Sequence, residues 1–441
     1  MMDTNDNKSS FDRFGDDLTA FILRYLSLED QLCLECVSKQ FQSCGIHLRT
    51  HLIISNNLKK RFCSKSSVSG KECFDNKNWS SLMKKCPNVQ IFDIQSTGNQ
   101  QKHFIRAIHL FRELWPQLRQ IDCNNFKMLD KDMKFMCKMF PKMIRQLFLY
   151  EINDTIRPCI SLMTNLQSLR IWKIQDLFIG DQLMVKGLLS QLSCHFSDNM
   201  VTPLKTFIDG NSNLKSLQLF VNSTDTANTV VSVLSLIGRR LQGLQQLELA
   251  FVSTVDYSIA QPLMTIANSC RRLKVFKFYI TVDSLATYME TYIAVKHMKQ
   301  LKRLYLSIYY VNRNNSNETI NPLLYKSLQP INCWPQLSQL ILRLSYIDCQ
   351  FFTDLGRNLP KLQCLYISHL TDIFDSISMS YISRLKSLTR LSVVSNIDVS
   401  ISQLDVHQMA NVCRKLKFIK INVKNIERFY GNESSIHSMR N

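Results

Sequence analysis

Glycine and proline are scarce, 11 and 10 residues in a chain of 441, which leaves little of it to linkers or low-complexity tracts. Charge is thin as well, 20% against 45% hydrophobic, so general disorder is excluded and a large core is expected. No apolar run reaches the roughly 18 to 20 residues that a membrane span needs. The polar start "MMDTNDNKSS" does not read as a signal peptide. Catalytic constellations are lacking too: there is no phosphate-binding glycine-rich loop, no G-x-S-x-G and no H-E-x-x-H. The nine histidines do not cluster, and the lone C-x-x-C, Cys33 to Cys36, has no second pair at a zinc-compatible spacing. The residues therefore point to no enzyme, no metal and no cofactor.

Acidic residues are the scarcer charge, 35 against 54 Lys and Arg, for a net charge of +19. The imbalance is uneven: residues 1–50 hold eight acids and five bases, a net of −3, which leaves +22 on the remainder. That remainder favours acidic partners, protein or nucleic acid, unless the lysines merely solubilise an outer face. The fifteen cysteines are odd in number and scattered, which reads as reduced, mostly buried thiols of the cytosol or nucleus.

What the chain does have is a beat. The pattern apolar-x-x-apolar-x-apolar recurs thirteen times, usually about 22 to 30 residues apart and with a longer interval from Leu301 to Leu337, from "VQIFDI" at Val89 to "LKFIKI" at Leu416. Well-formed copies include "LKSLQL" from Leu214, "LKRLYL" from Leu301 and "LQCLYI" from Leu362; "LSQLSC" from Leu189 is the weakest. The closing apolar-x-apolar has the period of a strand, while the stretches between copies, such as 261–270 and 284–298, have helical spacing. Each unit thus reads as one short strand plus one helix, and no unit can bury its apolar side alone. The polar run 312–319 reads as a loop insertion and the basic, Ser-rich 56–72 as another loop. Three residues before the anchor stands Cys86, Cys270 or Cys413, but in other copies Trp115, Phe140, Trp334 or Leu359. A slot that accepts all of these is core and not a metal ligand.

The copies "CPNVQIFDI", "CRRLKVFKF" and "CRKLKFIKI" resemble leucine-rich repeats of the cysteine-containing class, over roughly residues 86–424. The resemblance implies an α/β fold, a curved solenoid with parallel strands on its concave side and helices outside. The asparagine that often follows the strand in that family is mostly missing.

Ahead of the repeats, residues 11–50 form a candidate helical module. Leu18, Ile22, Tyr25 and Leu26 share a helical face, Asp16 and Asp17 sit in the first turn, and Ser27 is a candidate N-cap for a second helix. The stretch resembles an F-box. Its slots hold Phe14, Gly15, Asp16, Asp17 and Leu18, then Tyr25, Leu26, Ser27 and Asp30, then Val37, Lys39 and Phe41, with Leu32 one place past the usual leucine. Gly15 stands where the family has proline. The resemblance implies docking onto a Skp-family adaptor, and through it a cullin, with Phe14, Gly15, Leu18, Ile22, Tyr25, Leu26, Leu32, Val37 and Phe41 as the adaptor contacts. Residues 1–10 read as a disordered tail, 51–85 as a connecting segment or first irregular repeat, and 425–441 as a frayed C-terminal tail.

Strand alternation turns the third, fifth and seventh positions of each repeat outward when the anchors point inward. Those positions hold Phe148, Tyr150, Trp172, Phe220, Tyr279, Tyr305, Tyr366 and Phe418, with Arg170, Lys277, Arg303, Arg343, Arg390 and Lys420; acids are few, Asp93, Asp122 and Glu248. Rings with arginine are the composition of binding hot spots. The expectation is a target protein with an acidic or phosphorylated segment held on this face, in the cytoplasm or nucleus. The rival reading is a non-degradative binding module for RNA, a phosphoinositide or an acidic protein, with a vestigial F-box.

Overall fold

The computed structural model describes residues 15–23, 25–26, 28–34, 39–44, 49–54, 76–94, 108–123, 130–149, 152–197, 200–222, 226–255, 257–311, 334–344, 352–353, 355–370, 374–395, 399–423 and 426–431. Phe14, Ser27, Val37, Tyr150, both loop segments named above and residues 1–10 lie outside them, as does the side chain of Leu32. No described helix is long and apolar enough to cross a membrane. The chain divides into two compact units, Met1–Trp172 with Asp176–Leu189, and Lys173–Gln175 with Ser190–Asn441.

The first unit opens with helices α1 (Asp16–Leu23), α2 (Leu28–Leu34) and α3 (Lys39–Cys44). Leu23 and Phe41 are buried together, with Ala20, Leu26 and Leu34 packed against them. Gln40 Nε2 donates to Asp16 Oδ1 at 3.0 Å, tying α3 to α1. Arg49 donates to Gln31 Oε1 at 3.1 Å and to the Leu26 carbonyl at 3.2 Å, and the buried Gln31 donates to the Leu23 carbonyl. The Leu23 carbonyl is one of the last four of α1, which have no acceptor role within the helix.

Five parallel strands follow in chain order: β1 (His51–Ile54), β2 (Ile91–Ile94), β3 (Gln120–Cys123), β4 (Ile144–Phe148) and β5 (Ser168–Lys173). The segment 51–85 therefore supplies the first strand, and with it α4 (Asn76–Lys85). Between the strands lie α5 (Phe111–Leu114), α6 (Asp130–Met139) and α7 (Arg157–Ser161). A small antiparallel hairpin, β6 (Phe178–Ile179) and β7 (Gln182–Leu183), turns at Gly180. Its φ of 56° is one that residues with a Cβ rarely adopt.

The second unit repeats the same unit with more regularity. Its parallel strands are β8 (Gln191–Phe196), β9 (Ser216–Val221), β10 (Gln246–Val255), β11 (Val275–Val282), β12 (Arg303–Tyr310), β13 (Gln339–Leu344), β14 (Cys364–Leu370), β16 (Arg390–Ser395) and β18 (Phe418–Val423). A separate two-residue pair, β15 (Phe374–Asp375) with β17 (Val399–Ser400), lies outside this ladder. The helices are α8 (Val201–Gly210), α9 (Thr226–Arg240), α10 (Ala260–Ser269), α11 (Leu285–Lys296), α12 (Leu355–Asn358), α13 (Ser376–Ser383) and α14 (Gln403–Val412).

The hexamer dictates this stacking. Its fourth and sixth residues form continuous buried ladders, such as Leu217–Leu247–Phe276–Leu304–Leu340 and Leu219–Leu249–Phe278–Leu306–Leu342. The residue after each anchor donates its N–H to the same position one repeat back, at 2.8 Å in every step from Lys215 through Lys417. The slot three residues before the anchor is core, as expected: Cys270, Trp334, Leu359 and Cys413 are fully buried, and the thiols donate to carbonyls of the preceding repeat, Cys270 to Leu241 and Cys413 to Ser383 and Leu385.

One expectation is corrected. The tail read as frayed from 425 contains β19 (Ile426–Gly431), which pairs antiparallel with β18. A bare outer strand presents a row of unpaired N–H and C=O groups, and a hairpin return is a short way to pair them.

Candidate binding surfaces

Register places the outward positions of the second unit in three rows. The third-position row includes Val275, Arg303, Gln339, Cys364, Arg390 and Phe418. The fifth-position row includes Glu248, Lys277, Tyr305, Ile341, Tyr366, Ser392 and Lys420. The seventh-position row runs His195, Phe220, Ala250, Tyr279, Ser307, Arg343, Ser368 and Val394. Arg303, Arg343 and Arg390 are exposed, and Phe220, Lys277, Tyr279, Tyr305, Tyr366, Phe418 and Lys420 half-buried. The face thus brings the expected rings and cations of this unit onto neighbouring strands.

Their pairing is specific. Lys277 Nζ forms an ion pair with Glu248 Oε2 at 3.0 Å, one strand away, and lies 5.3 Å from the Tyr305 ring centroid. Burial alone would lower the Lys277 pKa, but the hydrogen bond and charge of Glu248, with Tyr279 and Tyr305, hold it above the usual value. The Tyr279 hydroxyl is also pushed up, by burial first and then by Glu248, while Lys277 and Arg343 pull against them. Arg343 stands over the Tyr366 ring at 5.6 Å, a cation–π distance. His195 stacks on Phe220 at 5.0 Å.

The corresponding face of the first unit is different. Arg170 is exposed and lies 5.2 Å over the half-buried Phe148, and Trp172 is exposed. Asp93 and Asp122 are register neighbours on β2 and β3. Asp122 is nearly buried, and burial raises its pKa, helped by the charge of Asp93 and opposed by the Gln120 hydrogen bond, His51 and Arg145. Among the described residues no group of three or more His, Cys, Asp or Glu could hold a metal ion.

The helical module carries a second surface. Leu18, Phe21, Ile22 and Tyr25 are 46%, 54%, 42% and 75% exposed, an apolar stripe along α1 that continues past its end. The Phe21 and Tyr25 rings pack edge to face at 5.2 Å. Gly15 is exposed, with nothing within 4 Å of where a Cβ would stand. Two expected contacts lie elsewhere. Phe41 is buried against Leu23, and Leu26 is half-buried on the same core. The helical period gives one apolar face, and the module folds part of it onto α3.

Some residues of these surfaces escaped the sequence reading. Phe21 sits at i+3 from Leu18, and the period alone could have supplied it. Ser307 and Ser368 hold the seventh position of their repeats, but small polar residues carry no hot-spot signal. The Glu248–Lys277 pair was legible, since both hold the fifth position of consecutive repeats.

No protein-family model matches this sequence, and no curated protein is similar enough to be matched. Among solved structures, a plant peptide hormone receptor, RGFR1 in complex with RGF2, is similar at a TM-score of 0.32 and 14% identity, over 77% of this chain and 49% of that one. The chain thus spans about half the length of that receptor.

Proposed function

We propose that this chain is a non-catalytic, target-recognition subunit of a Skp–cullin–F-box ubiquitin ligase, acting in the cytosol or nucleus. The observation that carries the reading is the α1 stripe. Leu18, Phe21, Ile22 and Tyr25 stay in solvent while Thr19 and Leu23, on the other side of the helix, close the module. Four large apolar side chains on two turns suit a hydrophobic groove on a partner. The F-box resemblance of the same residues names that partner as a Skp-family adaptor. The space around Gly15 leaves room for the family's proline, so its absence removes no internal packing. The open sheet face would select the target, and transfer chemistry would belong to other subunits, this chain supplying proximity.

The test is co-expression with a Skp-family adaptor. Leu18→Asp with Ile22→Asp is expected to abolish co-purification, while Leu404→Asp, at a 65% exposed leucine of α14, leaves it intact. Leu26 is spared because it packs on the module core. A folded wild-type chain that does not associate, or a double variant that still does, refutes the reading. The cation-rich sheet face favours one rival, a non-degradative module for RNA, a phosphoinositide or an acidic protein. Salt-sensitive binding without adaptor association would support that rival.

A further inference from the structure

Seven residues before their anchors, two consecutive repeats carry a cysteine: Cys137 ahead of Ile144 and Cys159 ahead of Leu166. In other repeats the same slot holds Phe111, Phe207, Ile237 or Ile266, all fully buried. Core packing alone therefore asks only for an apolar side chain there. The two cysteines stand on α6 and α7, which pack against each other in the first unit. Cys137 is buried and Cys159 half-buried. Cys159 Sγ donates to the Thr155 carbonyl at 3.7 Å, and the Cys137 thiol lies within hydrogen-bond reach of the Cys159 thiol. Burial first, and then this neighbouring thiol, push Cys137 well above the usual thiol range. Cys194 and Cys270, by contrast, are shifted by burial alone.

We propose that Cys137 and Cys159 form a reversible disulfide, joining the two helices that flank β4 in sequence, when the chain meets a low-molecular-weight disulfide such as oxidised glutathione. The bond depends on neither the adaptor surface nor the sheet face. The half-buried Cys159 is the thiol that such an oxidant can reach. Its thiolate attacks one sulfur of the small disulfide, the S–S bond breaks, and one glutathione leaves as thiolate. Cys137 then gives up its proton and attacks the Cys159 sulfur of the mixed disulfide, releasing the second glutathione. Two protein thiols are oxidised, one small disulfide is reduced, and the two protein protons end on the two glutathiones. The second step is the slow one at neutral pH, because the thiolate is the nucleophile and burial disfavours it at Cys137. The closed loop contains β4 (Ile144–Phe148), and a cross-link of this kind removes freedom from the opened chain. In a reducing compartment the bond is transient, and excess thiol reopens it.

The experiment incubates the reduced full chain with oxidised glutathione at pH 7.5 and pH 8.5, blocks the remaining thiols with iodoacetamide in denaturant, and maps tryptic peptides by mass spectrometry. A peptide pair joined through Cys137 and Cys159 should form, faster at the higher pH. Amide hydrogen exchange of β4 should slow at least about tenfold with it, and dithiothreitol should reverse both. Cys159→Ser should lose the link and the protection. Cys137→Ser should stop at a mixed disulfide on Cys159. Cys33→Ser, at an exposed cysteine of α2, should change neither. Circular dichroism checks that each variant is folded; if Cys137→Ser is not, the wild-type map and Cys159→Ser decide. A link that forms only in denaturant overturns the proposal, as does a mixed disulfide on Cys159 that never closes at pH 8.5. Preferred pairing of either cysteine with another, or a link that leaves β4 exchange unchanged, overturns it equally.

Discussion

Asp122 stands against the stability of the first unit, and removing its charge should help. Its carboxyl is 7% exposed. Oδ2 accepts from Gln120 Nε2 at 2.8 Å and from Gln146 Nε2 at 3.4 Å, while Oδ1 is buried without a partner. Asp93 is its register neighbour on the adjacent strand, roughly 5 Å away by strand spacing. Burial, reinforced by Asp93, raises the pKa above the ordinary 3.8. A carboxyl with a raised folded pKa costs nothing below the unfolded value, where both states are protonated. The cost grows as pH rises from the unfolded pKa to the folded one and is complete above it. Asp122→Asn keeps an oxygen for the two glutamines and removes the charge. The amide Nδ2 takes the place of the unpartnered Oδ1, so the gain comes from the lost charge and its repulsion with Asp93, and is expected to be up to about 1 kcal/mol at pH 7.5, the scale of a cross-strand charge pair. Near pH 3 the gain should vanish. In a repeat array stability is local, so the assay is hydrogen exchange of the β2–β4 amides at both pH values, beside urea unfolding. A variant that is less protected at pH 7.5, or equally stabilised at pH 3, refutes the argument.

Three further outcomes are expected. Gly356→Ala would place a Cβ 2.5 Å from Arg384 Cβ and 3.0 Å from its carbonyl; overpacking of about 1–3 kcal/mol should outweigh the ~1 kcal/mol gain in helix propensity. Gly243→Ala, with nothing within 4 Å, should be near neutral, both read by thermal unfolding. Iodoacetamide at pH 8 followed by mass spectrometry should modify exposed Cys33 early. Cys270 and Cys194, whose thiols burial pushes up to about 11 and about 12, should react only on unfolding. Ser402→Ala removes the capping box in which Ser402 and Asp405 satisfy each other's backbone N–H at the start of α14. It should cost about 1 kcal/mol in urea unfolding at neutral pH. The loss should shrink in acid, because the Ser402 bonds hold the Asp405 pKa below its usual range.

Much of this architecture was legible because the repeat and the strand share one arithmetic. The hexamer fixes which residues stack, so the ladder from Leu217 to Leu340, the buried slot of Cys270 and Trp334, and the outward Arg303, Tyr305 and Arg343 all follow from counting. What counting misses is partnership. The helical period marks Leu18, Leu26 and Phe41 as apolar but does not say that Phe41 and Leu26 turn to Leu23 while Leu18 stays in solvent. The strand Ile426–Gly431 has no hexamer before it, so counting repeats does not announce its pairing with β18.

The same register explains why recognition on this sheet can be specific without weakening the fold. Positions four and six of each repeat carry the core, so the exposed residues at positions three, five and seven, such as Arg303, Arg343 and Arg390, are free to vary with little effect on the ladder. Glu248 shows that this freedom has structure. It holds Lys277 in place and removes one cation from competition, so the remaining arginines do not act as a uniform field. A face neutralised everywhere would bind nothing charged, and one left bare everywhere would bind any polyanion that salt permits. Satisfying one cation and leaving Arg343 exposed, with no carboxylate partner among the described residues, makes discrimination depend on where the ligand's charge sits. Glu248→Gln should therefore raise the binding of oligouridylate to the full chain, and the gain should fade as salt rises. No rise would mean that Glu248 serves only to fix Lys277.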